Sequence, residues 1–346
     1  MSTHHRIAPI LALVLLVSVS CDLFKQKSDG RFPILVGGKY GYMDQSGKVV
    51  INPQFDGDTL FTEGLAPVKV GSKFGYIDSA GELVISPQFD YASYFSCGRA
   101  RVLSGDKYGY IDTTGALVIS PQYYTAFDFS ESLAVVHVGP WCKFINIAGN
   151  VAITTDSMMS AAGSFFEGRA WVRQQDSTGL ANFGYINKTG AWVISPQYSG
   201  GGNFGDGLAP VQVGNLWGYV DTTGRMVISP QFAQAKRFFE DRAKVSVGGH
   251  WGYIDTTGRL IVSAQFIAGD RFCEGMAAVR SGTKVGYIDA SGKVVVSPQF
   301  DGGCGFCDGL ALVNVGGTPD TTCLVISGGK WGWIDKTGKY VWQPSE

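Results

Sequence analysis

Histidine is almost missing from this chain: four among 346 residues, two of them at positions 4 and 5, which leaves His137 and His250 far apart. No Cys2His2 spacing exists, so a metal site of that kind is excluded. Charge is scarce too. Asp, Glu, Lys and Arg make up 16% of the residues, and 28 basic against 29 acidic side chains leave a net charge of -1 with no block of one sign. That removes the basic footprint by which nucleic acid is held. There is no Gly-x-Ser-x-Gly elbow and no phosphate loop, so two common routes to an enzyme are closed. What the chain does have is ring and glycine, 13% aromatic residues and 48 glycines, a balance that suits short strands joined by tight turns.

One motif, aromatic-Gly-Tyr-Ile-Asp, returns along the chain. Its glycines are Gly41, Gly75, Gly109, Gly184, Gly218, Gly252, Gly286 and Gly332, and five of the seven gaps between them are 34 residues. Self-similarity at this period marks a tandem array, so length does not count domains here. A residue type that recurs once per repeat is expected to serve the fold. Functional candidates are therefore sought where the repeats differ.

Residues 61–89 show one unit. Three strand-like runs, 65–70, 74–78 and 83–86, are separated by turn signals at Gly71 and at Asp78-Ser79-Ala80-Gly81. Asp at the first and Gly at the fourth place suit a type I turn whose last residue takes a positive φ. The third run is expected to stop at Pro87, which cannot donate to a ladder. Each unit is thus predicted to be a three-stranded antiparallel meander. Alternation puts Ala66, Val68 and Val70 on one face, and Gly75 leaves room for a neighbouring ring or backbone. A lone sheet of about 30 residues cannot bury enough surface to stand alone, so repeats must stack. Phe61, Phe95, Phe129, Phe165, Phe204, Phe238, Phe272 and Phe306 are the expected pins between them.

Lys-Trp-Gly-Trp-Ile-Asp-Lys-Thr-Gly-Lys at 330–339, with the related stretches from Leu216 and His250, resembles the WG, or KWG, repeats of bacterial proteins. The resemblance spans about residues 32–346 and eight or nine units. It implies a β-rich tandem array, common on exported bacterial proteins, and brings no catalytic motif. The expected architecture is all-β, an open superhelical stack of meanders of ~34 residues, with a closed β-propeller as the alternative.

The array breaks in three places. Near 132–155 a unit is degenerate: Cys142-Lys143-Phe144-Ile145-Asn146 replaces the motif and Pro-Gln-Phe is absent, which could mark a hinge. Insertions at 174–182 and 316–329 both lengthen the hairpin between the first two runs. Insertions on one face of a repeat array are often where it binds.

Chemical readings of the recurrent residues are weak. Calcium needs six to eight oxygens, whereas each Asp-x-x-Gly turn offers one carboxylate, and Asn146 and Asn187 replace it twice. The acidic series Glu63, Glu131, Glu167, Asp206, Glu240, Glu274 and Asp308 precedes a turn in each repeat and is expected to be structural. Cys304-Gly-Phe-Cys307 has the form of a redox pair, but lies in a β connector rather than at a helix N-terminus. The ladder Tyr40, Phe74, Tyr108, Phe183, Trp217, Trp251 and Trp331 would stack on sugars if exposed, as in the aromatic hairpin repeats of cell-wall-binding modules, which it resembles in outline only. Val285 fills the same place in one unit, which favours core packing. Trp217, Trp251 and Trp331 remain the candidate ligand-facing aromatics.

Residues 1–20 carry His4, His5 and Arg6, an apolar stretch over 7–19, and small residues at Ser18 and Ser20, the three zones of a secretory signal. With Cys21 directly after it and a polar segment to residue 30, the arrangement resembles a bacterial lipoprotein signal. Ser18 departs from that pattern, which has Leu three places before the cysteine. The resemblance implies lipidation at Cys21 and a flexible tether over 21–31. Export makes disulfides available to the other six cysteines. Cys273 and Cys307 share a repeat position, and the expected bridge is a local one among Cys304, Cys307 and Cys323. The chain is accordingly expected to be a non-catalytic scaffold without cofactor or metal, lipid-anchored in a bacterial cell envelope, with secretion as the alternative. A protein partner is favoured; a glycan-binding module and a purely structural envelope spacer are the alternatives.

Overall fold

The computed structural model describes residues 29–58, 60–153, 159–175, 179, 181–319, 324 and 326–345. These residues form nine antiparallel sheets of three or four strands, one per repeat, and one two-stranded ribbon.

The second sheet shows the plan. Strands Gly57–Asp58, Leu65–Val70, Lys73–Asp78 and Leu83–Phe89 lie side by side in chain order, the middle pair in register from Leu65↔Asp78 to Val70↔Lys73. The expected meander is present, and a fourth, short edge strand precedes it. Gly57–Asp58 pairs with Val68 and Lys69; two residues led by a glycine carry no strand signal in a sequence.

Pro87 is a second correction. The outer strand does not stop there but runs to Phe89, its pairing jumping from Tyr76↔Ile85 to Phe74↔Phe89. This is a bulge on an edge strand, where a residue without an N–H costs no ladder bond. The bulged main chain crosses Gly75, where a Cβ would lie 2.4 Å from Ile85 O and 2.8 Å from Pro87 N. Aromatic-Gly-Tyr and Pro-Gln-Phe are therefore two halves of one device. In the degenerate fourth unit both halves are missing together: Pro-Gln-Phe is absent and Lys143 stands where the glycine would be.

The cores lie between sheets. Tyr185, Ile194 and Tyr198 of the fifth sheet pack with Phe204, Ala209, Val211 and Val220 of the connector and sheet that follow. All eight pin phenylalanines are buried. Phe61, Phe129, Phe165, Phe204, Phe238 and Phe306 meet a ring of the preceding sheet edge-on, as in Tyr219–Phe238 at 4.9 Å and Tyr185–Phe204 at 5.0 Å. Tyr219 and Val220 point to opposite sides of one strand and both are fully buried. A sheet stacked on both faces loses the half-polar alternation of a solvated one. A shared core also runs from the fourth sheet into the fifth, across the place read as a hinge.

The chain divides into two units, residues up to Phe89 with those from Phe266, and Asp90–Gln265. Within the first, the first and last sheets pack on each other. Phe32 meets Trp333 edge-on at 5.1 Å and Trp333 Nε1 donates to Pro33 O at 2.8 Å. Ser345 Oγ donates to Leu35 O at 2.7 Å, and Gln45 Nε2 to Asp308 O at 2.8 Å. An open superhelical stack keeps its terminal repeats apart and needs polar caps on them. The contact is instead the one a closed β-propeller makes, with Phe32, Trp331 and Trp333 burying one another's apolar faces.

Candidate functional site

Each sheet has two ends, built differently. At one end stand the Asp-x-x-Gly turns. Asp221 Oδ1 accepts from Thr223 N at 2.9 Å, Thr223 Oγ1 at 2.6 Å and Arg225 N at 3.1 Å. The Thr223 hydroxyl, then the turn N–H groups and Arg225, hold this carboxyl at about 2. Asn146 makes the same turn with its amide oxygen, accepting from Ala148 N and Asn150 N at 3.0 and 3.1 Å. The turn needs an acceptor, not a charge, which accounts for the series without calcium.

The acidic series lies at this same end. Glu131, Glu167, Asp206 and Glu274 sit at φ between 49° and 55°, unusual for residues with a Cβ. Each reaches a backbone N–H in the next repeat's turn: Glu167 to Gly207 at 2.9 Å, Asp206 to Asp241 at 2.9 Å, Glu274 to Gly309 at 3.0 Å and Glu131 to Gly168 at 3.1 Å. They tie sheet to sheet.

The other end carries the hairpins. Val36, Val70, Val138, Val213, Val247 and Val315 close the strand that leads into the hairpin of their sheets and are 40–48% exposed, an apolar tip at the equivalent place in each. Asp56 caps one such turn, its Oδ2 accepting from Gly71 N at 2.7 Å while Oδ1 takes Lys39 Nζ at 2.6 Å. The Lys39 ammonium, then the Gly71 N–H, lower its pKa.

Both insertions leave this end. The first parts Arg169–Gln175 from Ala181–Asn187. The second carries the ribbon Thr318–Pro319 with Ile326–Ser327. Its root is anchored: Asn314 is fully buried and donates from Nδ2 to Gly328 O at 3.0 Å. Leu324 is buried among Ala268, Val285 and Phe300 of the eighth sheet. Val285 faces Arg280 across the ladder, and Arg280, 1% exposed, donates to Thr283 O at 2.8 Å and Asp301 O at 2.9 Å. Where other repeats hold a ring, this one holds a valine, with a buried guanidinium opposite and a leucine from the insertion against it. Nothing in the 34-residue pattern announces that exchange.

Of the aromatic ladder, Tyr40 and Trp331 are buried, and Phe74, Tyr108, Phe183, Trp217 and Trp251 are half-buried. Trp331 is buried in the seam beside Trp333 and Leu312. Trp217 is half-buried against Tyr219 and Phe232, and a Cβ at Gly200 would lie 3.0 Å from its ring. Trp251 is half-buried under Lys244 Nζ, 4.5 Å from its centroid. In the third sheet Arg101 pairs with Asp128 at 3.2 Å between the rings of Tyr91 and Tyr108, a half-buried ion pair.

Cys273, Cys304 and Cys307 are all thiols in this structure, so the expected bridge is not formed between Cys304 and Cys307. Burial pushes the Cys304 thiol up to about 12, the reverse of what a redox-active thiol requires. Cys21, Cys323 and the signal and tether residues up to 28 lie outside the described residues.

Among curated proteins no match is found. Solved structures with some likeness include Hsv2 of Kluyveromyces lactis, 12% identical over 77% of this chain and 95% of that one, TM-score 0.38. Another is the Hsv2 crystal structure from Kluyvelomyces marxianus, 11% identical over 73% and 85%, TM-score 0.35. A third is the dihydro-heme d1 dehydrogenase NirN in complex with DHE, 11% identical over 92% and 73%, TM-score 0.45. Scores this low carry no inference about function. The model of the WG containing repeat matches residues 40–74, 74–108, 108–139, 183–217, 217–250, 251–284 and 286–318. Most matches run from one motif to the next and they leave out residues 140–182, which hold most of the degenerate fourth unit, and the chain belongs to the WG containing repeat family.

Proposed function

We propose that this WG-repeat chain is a non-catalytic scaffold, exported and anchored through a lipidated Cys21, that binds a protein partner with the hairpin ends of its sheets. The observation that carries this reading is the placement of its ends within the first unit. Arg31 opens the first sheet beside Asp44, at the Asp-x-x-Gly end, whereas residues 316–329 leave the ninth sheet beyond Val315↔Lys330, at the hairpin end. The two sheets are aligned end for end, Gln45 with Asp308 at one end and Ser345 with Leu35 at the other. A six-residue strand of about 20 Å thus separates Arg31, where the first sheet opens, from the end at which the insertion leaves. An anchor at Cys21 would enter the first unit at its Asp-x-x-Gly end. Exposed valine tips suit a protein surface, and tryptophans that are half-buried or buried offer a sugar little to stack on.

Intact mass and membrane fractionation of the native protein beside Cys21→Ala test the anchor. A diacylglycerol-sized mass, lost together with membrane association in the variant, is expected; an unmodified, freely soluble wild type would refute anchoring. Cross-linking at the cell surface then tests binding. A cross-linked protein that is lost when residues 318–327 are replaced by a short turn is expected, and no cross-linked protein at all would favour the structural spacer.

A further inference from the structure

Three cysteines gather where the eighth and ninth sheets pack, and we propose that Cys273 forms a disulfide with the connector 304–307, stapling the two sheets. Cys273 and Cys307 follow the pin phenylalanines Phe272 and Phe306, the place held by Ser96 and Ser130 in earlier repeats. There the side chain reaches across to the next repeat: Ser96 Oγ donates to Phe129 O at 2.8 Å and Ser130 Oγ to Phe165 O at 2.6 Å. At the same place Gly205 comes so near that a Cβ would lie 2.3 Å from Phe238 O. The counterpart for Cys273 is the main chain of Phe306, between Cys304 and Cys307. A disulfide needs Cα atoms about 4.4–6.8 Å apart, a short-range contact of the kind this place in the repeat makes with the next repeat's main chain.

The connector is held in place for it. Gly305 N donates to Asp270 Oδ2 at 3.1 Å, three residues before Cys273, and Cys304 Sγ donates to Leu312 O at 3.6 Å. Burial, then Asp270, with Cys273 also contributing, raise the Cys304 thiol. Burial likewise raises Cys307, with Asp308 and Cys273 adding to it. Cys273 is thus felt at both connector thiols. Thiolate is scarce in the finished fold, so the bond forms as the chain folds. Two protein thiols are oxidised to one disulfide while a small-molecule disulfide is reduced to two thiols, with the protons passing to the latter. The inference draws on proposed export only for the cellular oxidant; Cys21 takes no part in the bond.

The test is to refold the full chain in mixed reduced and oxidised glutathione, alkylate it, and map non-reduced tryptic peptides. Peptide 272–280 is expected linked to 294–330, the link vanishing on reduction. The oxidised chain should melt about 5 °C above the reduced one. Cys273→Ser, which installs the residue found at Ser96 and Ser130, should fold and lose both the link and the difference in melting. Recovery of 272–280 alkylated at its thiol, with or without a bridge inside 294–330, overturns the proposal. An unlipidated Cys21 would sink the anchor while leaving this map unchanged.

Discussion

The joint between the eighth and ninth sheets and the seam between the first and last solve one packing problem with different residues. At the joint, Tyr287 meets Phe306 edge-on at 5.0 Å and its hydroxyl donates to Cys304 O at 3.0 Å. At the seam, Trp333 meets Phe32 at 5.1 Å and its indole N–H donates to Pro33 O at 2.8 Å. One ring edge and one hydrogen bond to a carbonyl are kept, although the partners are 17 residues apart in the first case and 300 in the second. Closing the longer loop costs about 2–3 kcal/mol more chain entropy, an upper bound because the intervening sheets are themselves folded. An indole, with more surface to bury than a phenol, offsets part of that. The joint of this array is therefore a side-chain device that does not depend on chain continuity.

Breaking the seam should have the largest effect. Trp333→Ala is expected to cost about 4 kcal/mol in urea denaturation and to make the first sheet the earliest site of proteolysis. A loss under about 1 kcal/mol would mean that the seam is not a joint. Gly286→Ala strikes the regular side of the comparison: its Cβ would lie 2.5 Å from Val296 O and 2.7 Å from Pro298 N, both backbone. About 3 kcal/mol should be lost, and a neutral result would show that the bulge can move away.

Trp217→Ala, at a half-buried ladder position, is expected to cost about 2 kcal/mol. Unchanged melting together with loss of binding to a glycan array would restore the sugar-platform reading. Tyr287→Phe removes only the hydroxyl of the ordinary joint and should cost about 1 kcal/mol. A larger loss would mean that the Cys304 carbonyl finds no other donor.

The smallest effect concerns the turns. The Asp221 carboxyl titrates at about 2 in the fold against 3.8 ordinarily. A pKa lowered by folding makes the turn's contribution complete above about pH 4, and that contribution is lost as the pH falls through about 2. Asp221→Asn, copying Asn146 and Asn187, should leave stability at neutral pH nearly unchanged and flatten the acid limb of a pH–melting curve. An equally steep limb would place the acid sensitivity elsewhere.

Much of the fold is legible in the residues because each repeat must solve the same local problem. Gly75 announces the room that a crossing backbone needs, whereas Pro87 reads as a strand end and sits in a bulge; the once-per-repeat acids point to a structural role. Their acceptor geometry was not legible, since the N–H that Glu167 satisfies belongs to Gly207, 40 residues on. The edge strand Gly57–Asp58 is too short to show a pattern. Val285 hinted that the ladder is core, but that Arg280 is buried opposite it and Leu324 packs against it could be seen only once the sheets were stacked.

By itself the sequence determined the unit: where each main strand runs, where it turns, and which residues must be small or must accept a hydrogen bond. These follow from sterics and hydrogen bonding within a few residues, or across one hairpin. The tertiary structure alone decided that the first and last sheets meet, which aromatic rings are covered, and which thiols become neighbours. Those outcomes depend on residues tens to hundreds of positions apart, whose contact is set by what stacks on each face of a sheet rather than by any signal along the chain.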